Sequence, residues 1–146
     1  MKPTLDDAIL LAIQTHHSQT DKYGQPYMLH PLRVMLRLKT RDERIVAVLH
    51  DVVEDTRHKP HPITLADLRR MGYSKRIAAA IDGVTIREHE TYDDFIHRAK
   101  TNALARRVKL ADLADNMDPT RMPARLTLQD RRRTAKYRRA WEELTR

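Results

Sequence analysis

Four polar residues crowd the second half of one apolar stretch, Ile45–Thr56 (IVAVLHDVVEDT): His50, Asp51, Glu54 and Asp55. At about 100° per residue, Ile45, Val46, Val48, Leu49, Val52 and Val53 fall on one side of a helix, and the four polar residues fall on the remaining arc of about 140°. An imidazole and three carboxylates thus share one face. The stretch holds no Lys or Arg, although the chain carries a net charge of +8. A bound cation is the simplest relief of that local negative charge.

Adjacent His50 and Asp51 reach one metal only with ligands from other elements. His30 and Asp112 are the candidates. Asp112 is an acid in an otherwise apolar helical run, VKLADLADNM, with Asp115 and Asn116 one turn on. Two imidazoles and two carboxylates make a mixed nitrogen–oxygen set, which suits Mn²⁺, Fe²⁺ or Zn²⁺ better than a closed structural zinc site. Such a metal acidifies water near neutral pH. Glu54 and Asp55, one turn beyond His50 and Asp51, are then free to hold the attacking water, accept its proton or protonate a leaving oxygen. Each element has a plainer reading. HDxxED alone fits a solvated acidic face, His30 alone fits a buried or capping histidine, and Asp112 alone fits a partner for Lys109 or an arginine. The set of four is more specific than any member. The remaining histidines read as structural or exposed, with His58 and His61 close enough in sequence for an adventitious metal pair.

These residues need elements to position them. The pattern predicts an all-α domain over residues 1–146, a single bundle of about seven helices. A first helix covers Leu5–Thr20, capped by Thr4. After the loop Asp21–Pro26, a second covers roughly Tyr27–Lys39 with Pro31 in its first turn, which puts His30 at the helix start. The Ile45–Thr56 helix follows, with Asp42 as its cap. Ile63–Met71 is short, stopped by Gly72, and Ser74 caps a helix to about Val84, interrupted by Gly83. Further helices cover Thr91–Lys100, Asn102–Met117 and Thr127–Leu144. Leu128, Ala135, Tyr137, Ala140, Trp141 and Leu144 are the candidate buried positions of the last.

Composition narrows the function. Three Gly, one Phe and one Trp leave a core of Leu, Ile, Val, Ala and Met, and the absence of Cys excludes disulfides and thiolate ligands. No apolar run approaches the ~20 residues of a membrane span, and the N-terminus lacks a signal-peptide pattern, so the expected location is the cytoplasm. There is no glycine-rich phosphate loop. The positive charge concentrates after Arg121, with Arg131, Arg132, Arg133, Lys136, Arg138 and Arg139 nearly contiguous. That run is either a solvated helix face or a phosphate-attracting one.

Three stretches together resemble a known family: GQPYMLHP (24–31), LHDVVEDT (49–56) and VKLADLADNM (108–117). They are similar to the G-x-PY-x-x-HP, LHDxxEDT and (V/I)KLADxxxNM motifs of HD-domain phosphohydrolases of the RelA/SpoT type, and the segment 64–85 is similar in outline. The resemblance implies a stand-alone small alarmone hydrolase that cleaves the 3′-pyrophosphate ester of (p)ppGpp to GDP or GTP and pyrophosphate. It implies a metal, usually Mn²⁺, on His30, His50, Asp51 and Asp112, with Glu54 and Asp55 as the catalytic acids. It also implies a nucleotide site that includes Lys22 and Asn116. Two positions depart from the pattern. Asp21-Lys22-Tyr23 stands where the family has Arg-Lys-Ser, so a base-stacking guanidinium is replaced by an acid and Tyr23 is the residue left to stack. After Asn116-Met117 the expected Arg-Thr is Asp118-Pro119-Thr120, displacing Thr120 by one. The metal chemistry is therefore expected intact and the base-recognition shell altered. A different nucleotide substrate is the first alternative. A basic nucleic-acid-binding module is the second, ranked lower because it leaves the acidic face unexplained.

Overall fold

The computed structural model describes residues 1–146. It contains nine α-helices, one 3₁₀ turn at Pro119–Arg121 and no strand, the all-α fold that the periodicity predicts. The helices are α1 (Leu5–His16), α2 (Leu29–Leu36), α3 (Arg41–Leu49), α4 (Val52–Thr56), α5 (Leu65–Arg70), α6 (Lys75–Gly83), α7 (Tyr92–Lys100), α8 (Ala103–Asn116) and α9 (Leu128–Thr145).

Seven of the nine begin at a Ser, Thr or Asn whose side chain accepts a backbone N–H of the first turn. Each such cap is worth ~1 kcal/mol. The two exceptions are α2 and α4. Their N-caps are Met28, whose side chain offers no oxygen, and Asp51, whose carboxylate is turned to His50 and Tyr27 instead.

The Ile45–Thr56 stretch differs from its sequence reading in two ways. Its cap is Thr40, not Asp42: the Thr40 hydroxyl accepts from Glu43 N–H, and Glu43 reaches back to the Thr40 N–H. The helix also divides. Asp51 lies at φ −106°, ψ 0°, the bridge region that ends α3 before α4 resumes. Five consecutive residues of α3, Ile45–Leu49, are fully buried. The helix is therefore enclosed rather than amphipathic, packed against α1, α2, α6 and α8. A smaller cluster, with Phe95, Leu113, Ala140 and Leu144, joins α7, α8 and α9.

Other boundaries move inward. The first helix ends at His16, because Ser18 takes a left-handed φ of 66°. Gly83 does not interrupt its helix but ends it. A Cβ there would lie 2.7 Å from the Ala105 Cβ, so glycine allows α6 and α8 to touch. On α9 only Ala140 and Leu144 are buried; Tyr137 is half-buried, and Leu128, Ala135 and Trp141 are exposed. The reason is that α9 packs chiefly on α7 and α8. No helix is long and apolar enough to cross a membrane.

Candidate active site

The α3–α4 break, the start of α2 and the middle of α8 converge on one pocket of about 560 Å³. The break carries His50 and Asp51, α2 brings His30, and α8 brings Asp112. Ligand-type atoms of His30, His50 and Asp112 all lie within 4.8 Å of one another. His30 Nε2 is 2.9 Å from Asp112 Oδ1, and His50 Nε2 is 3.6 Å from the same oxygen. Both imidazoles are nearly fully buried. Asp51 Oδ2 comes within 3.0 Å of His50 Nε2 and also forms a second trio with Glu54 and Asp55, with ligand-type atoms within 4.8 Å of one another. Asp51 thus stands between the buried cluster and the carboxylates.

The two histidines hold their second nitrogens differently. His50 Nδ1 meets the carbonyl of Ala47 at 2.6 Å, within its own helix. His30 Nδ1 meets Asp115 Oδ2 at 2.6 Å, across to α8. In both cases Nε2 is the nitrogen turned to the cluster. The Asp112 carboxylate is divided likewise. Oδ2 accepts from Lys109 Nζ at 2.8 Å, the pairing that the sequence offered as a plainer reading, while Oδ1 faces the imidazoles and accepts from Asn116 Nδ2 at 3.1 Å.

Charge follows this wiring. Burial opposes ionisation of Asp112, yet Lys109, His30 and His50 outweigh it and hold the carboxyl well below its usual range. Asp51 is lowered in the same way by His50, and its Oδ2 also accepts from the Tyr27 hydroxyl. Glu54 goes the other way. Burial first, then the charges of Asp51 and Asp55, push it up to about 7. Asp55 is also raised, by burial and Asp51. Its Oδ2 accepts from Gln19 Nε2 at 2.9 Å, with His16 Nδ1 at 3.7 Å.

At the rim, Lys22 and Asn116 line the pocket. Tyr23 and Thr120 do not. Tyr23 lies under the Lys22 ammonium, 5.3 Å from ring centre to Nζ, and the Thr120 hydroxyl bonds back to Asp118 Oδ1 at 2.8 Å. Asp21 does line it. Its Oδ1 accepts the N–H groups of Tyr23 and Gln25 at 2.8 and 3.0 Å and so closes the loop, while Oδ2 faces the Arg121 guanidinium at 3.6 Å. The C-terminal basic run splits. Lys136 faces the pocket beside Tyr92 and Tyr137, whereas Arg131, Arg132, Arg138 and Arg139 point to solvent. His58 and His61 are exposed and belong to neither cluster, with His58 against Glu88.

Sequence reasoning missed His16, Tyr27, Asp115, Arg121 and Lys136 in this neighbourhood. His16 sat on the apolar stripe of α1, and Asp115 lay one turn beyond Asp112; both were visible signals of burial beside the site. Arg121 and Lys136 reach the pocket only through the way α9 and the 3₁₀ turn fold back, for which the local sequence carries no sign.

No protein-family model matches the chain. The chain is 35% identical over 85 residues to the bifunctional (p)ppGpp synthase/hydrolase SpoT of Escherichia coli, covering 56% of this chain and 11% of that protein. It is 30% identical over 118 residues to the guanosine-3′,5′-bis(diphosphate) 3′-pyrophosphohydrolase of Aquifex aeolicus, covering 73% of this chain and 16% of that one. A probable enzyme of the same name from Synechocystis is 30% identical over 142 residues, 88% of this chain and 18% of the relative. The chain therefore spans less than a fifth of the length of these relatives. A solved structure of a metazoan ortholog of SpoT, described as hydrolysing ppGpp and acting in starvation responses, superposes with a TM-score of 0.71 at 20% identity. It covers 99% of this chain and 88% of the other, and at that identity the likeness establishes the fold. In fold and in sequence, the chain is a relative of the HD-type RelA/SpoT hydrolases.

Proposed function

We propose that the chain is a metal-dependent phosphohydrolase of nucleotides, and that its substrate is (p)ppGpp, cleaved at the 3′-pyrophosphate ester. The observation that carries this reading is the convergence of His30, His50 and Asp112 within 4.8 Å, with His30 and Asp112 on the floor of a pocket whose wall holds Glu54 and Asp55. The residues fit a divalent cation. Buried His50 Nε2 has no hydrogen-bond partner, since the nearby Asp51 oxygen is not aligned for one. The donor set, two imidazoles with carboxylates and no thiolate, suits Mn²⁺, Fe²⁺ or Zn²⁺, and the resemblance to RelA/SpoT-type hydrolases favours Mn²⁺ among them. His30, His50, Asp51 and Asp112 would hold the ion, which supplies polarisation of a phosphoryl oxygen and acidification of water.

The chain's own groups do the rest. Glu54, whose carboxyl is pushed up to about 7 by burial and the charges of Asp51 and Asp55, exchanges a proton near neutral pH, which suits transfer to or from the reacting oxygens. Asp55 is held in place by Gln19 and His16. Lys22 and Asn116 line the rim, where a nucleotide would lie, and Lys22 and Lys136 offer positive charge to its phosphates. Tyr23 and Thr120 stand beside this rim rather than on it, and a role for either in binding needs a change of side-chain direction.

A second reading keeps this chemistry and changes the base. Its support is Asp21, a carboxylate on the pocket wall that engages Arg121. One experiment addresses both readings: purified protein with Mn²⁺ and a panel of ppGpp, pppGpp, NADPH and deoxynucleoside triphosphates. Pyrophosphate release fastest from ppGpp or pppGpp is the expected result. Faster cleavage of another nucleotide selects the second reading, and cleavage of none overturns both.

A further inference from the structure

His30 owes its direction to Asp115. A neutral imidazole carries one proton, so a histidine that offers Nε2 to a cation must carry it on Nδ1. Asp115 Oδ2 stands 2.6 Å from that nitrogen. The carboxylate is itself immobile. Arg33 Nε donates to Oδ1 at 2.9 Å, and Arg121 Nη1 donates to Oδ2 at 2.8 Å and to the Asp115 carbonyl at 2.9 Å. It is wholly buried, so water does not compete for either oxygen. Asp115 also lies three residues from Asp112 on α8, and one rigid helix thus carries a candidate ligand together with the group that aims another.

We infer that Asp115 is a positioning residue for metal binding: it fixes the tautomer and ring direction of His30, while Arg33 and Arg121 fix Asp115. The inference rests on the proposed metal site and deepens it. His50 needs no such partner, because its Nδ1 is set by the carbonyl of Ala47. The dependence on a side chain is therefore specific to His30. Carboxylates behind metal-bound histidines typically alter metal affinity roughly 10- to 100-fold when removed. A purely structural role predicts something else, since Asp115 and Arg33 would then be two halves of one ion pair and their loss would act alike.

The test is a calorimetric Mn²⁺ titration of wild-type, Asp115→Asn and Arg33→Gln proteins, each checked for its native circular dichroism and melting temperature. Expected is a fall in Mn²⁺ affinity of roughly 10- to 100-fold for Asp115→Asn and less than about 3-fold for Arg33→Gln. Unchanged affinity in Asp115→Asn, or equal loss in both variants, overturns the inference. Should Asp115→Asn fail to fold, nitrogen-15 NMR of the wild-type histidines with Zn²⁺ decides. His30 must keep its proton on Nδ1 and bind through Nε2, and the reverse arrangement overturns the inference. Wild-type protein that binds no divalent cation removes this inference and the proposed site together. Binding without cleavage of any nucleotide removes only the proposed substrate.

Discussion

At the floor of the pocket, His30, His50 and Asp112 stand on packed helices, and each has its remaining polar atom taken by a buried partner. At the rim, Asp21, Lys22 and Arg121 stand on loops and a 3₁₀ turn, and Lys22 has no carboxylate within ion-pair distance. The floor is preorganised and negative along its Asp51–Asp55 wall, whereas the rim is more open and positive. The difference matches two jobs. A group that must hold a cation or move a proton gains from burial and fixed direction. A surface that must select a nucleotide gains from cations kept free for its phosphates.

Breaking the floor should have the larger effects. His50→Ala should lower pyrophosphate release by about 10³-fold or more, because it removes a ligand whose direction is fixed by its own helix. Next in size, Glu54→Gln should lower kcat by roughly 10²- to 10⁴-fold while Mn²⁺ affinity holds, since the change takes away a proton carrier and leaves the cluster intact. Release at the wild-type rate from either variant breaks the comparison.

The rim should respond in KM. Lys22→Ala should raise KM about 10-fold with kcat nearly unchanged, the size expected for one charge-assisted contact. A kcat loss as large as that of Glu54→Gln would place Lys22 with the floor instead. Asp21→Asn should change the ratio of kcat/KM between guanine and other nucleotides by a few fold, as expected for a partly exposed ion pair. An unaltered ratio would make Asp21 a loop-closing residue only.

The floor was also the legible part. HDxxED and the lone acid in an apolar run are local signals, because buried polar residues stand out against the periodicity around them. Even so, the sequence read α3 and α4 as one amphipathic helix. Period alone cannot tell a helix with one buried face from one buried all round, nor can it see a single residue in the bridge region. Asp115 had a local signal but no stated role, since its partner His30 is 85 residues away. At the rim, Lys22 and Asn116 were legible as matches to a motif, and Asp21 only as a departure from it. Asp21 looks anomalous until Arg121 arrives from the 3₁₀ turn, and that meeting is tertiary.

The smallest expected effect concerns stability. In chelator-treated protein the folded state keeps Glu54 protonated up to about pH 7, whereas the unfolded chain loses that proton near 4.5. Between these values the folded state binds more protons, so this group's contribution to stability falls as pH rises through the window. Glu54→Gln should therefore be more stable than wild type by about 1 kcal/mol at roughly pH 8 and close to it at roughly pH 5, after discounting for partial exposure. Urea denaturation at the two pH values reads the difference, and equal gaps at both would deny that burial shifts Glu54.

The most direct test of the metal-dependent site is pyrophosphate release from ppGpp as Mn²⁺ is titrated into chelator-treated protein. The account predicts no release without the cation, release that rises and saturates with measured occupancy, and release lower by about 10³-fold or more from His50→Ala at every Mn²⁺ concentration. Release at full rate in excess chelator, or from His50→Ala, would contradict it.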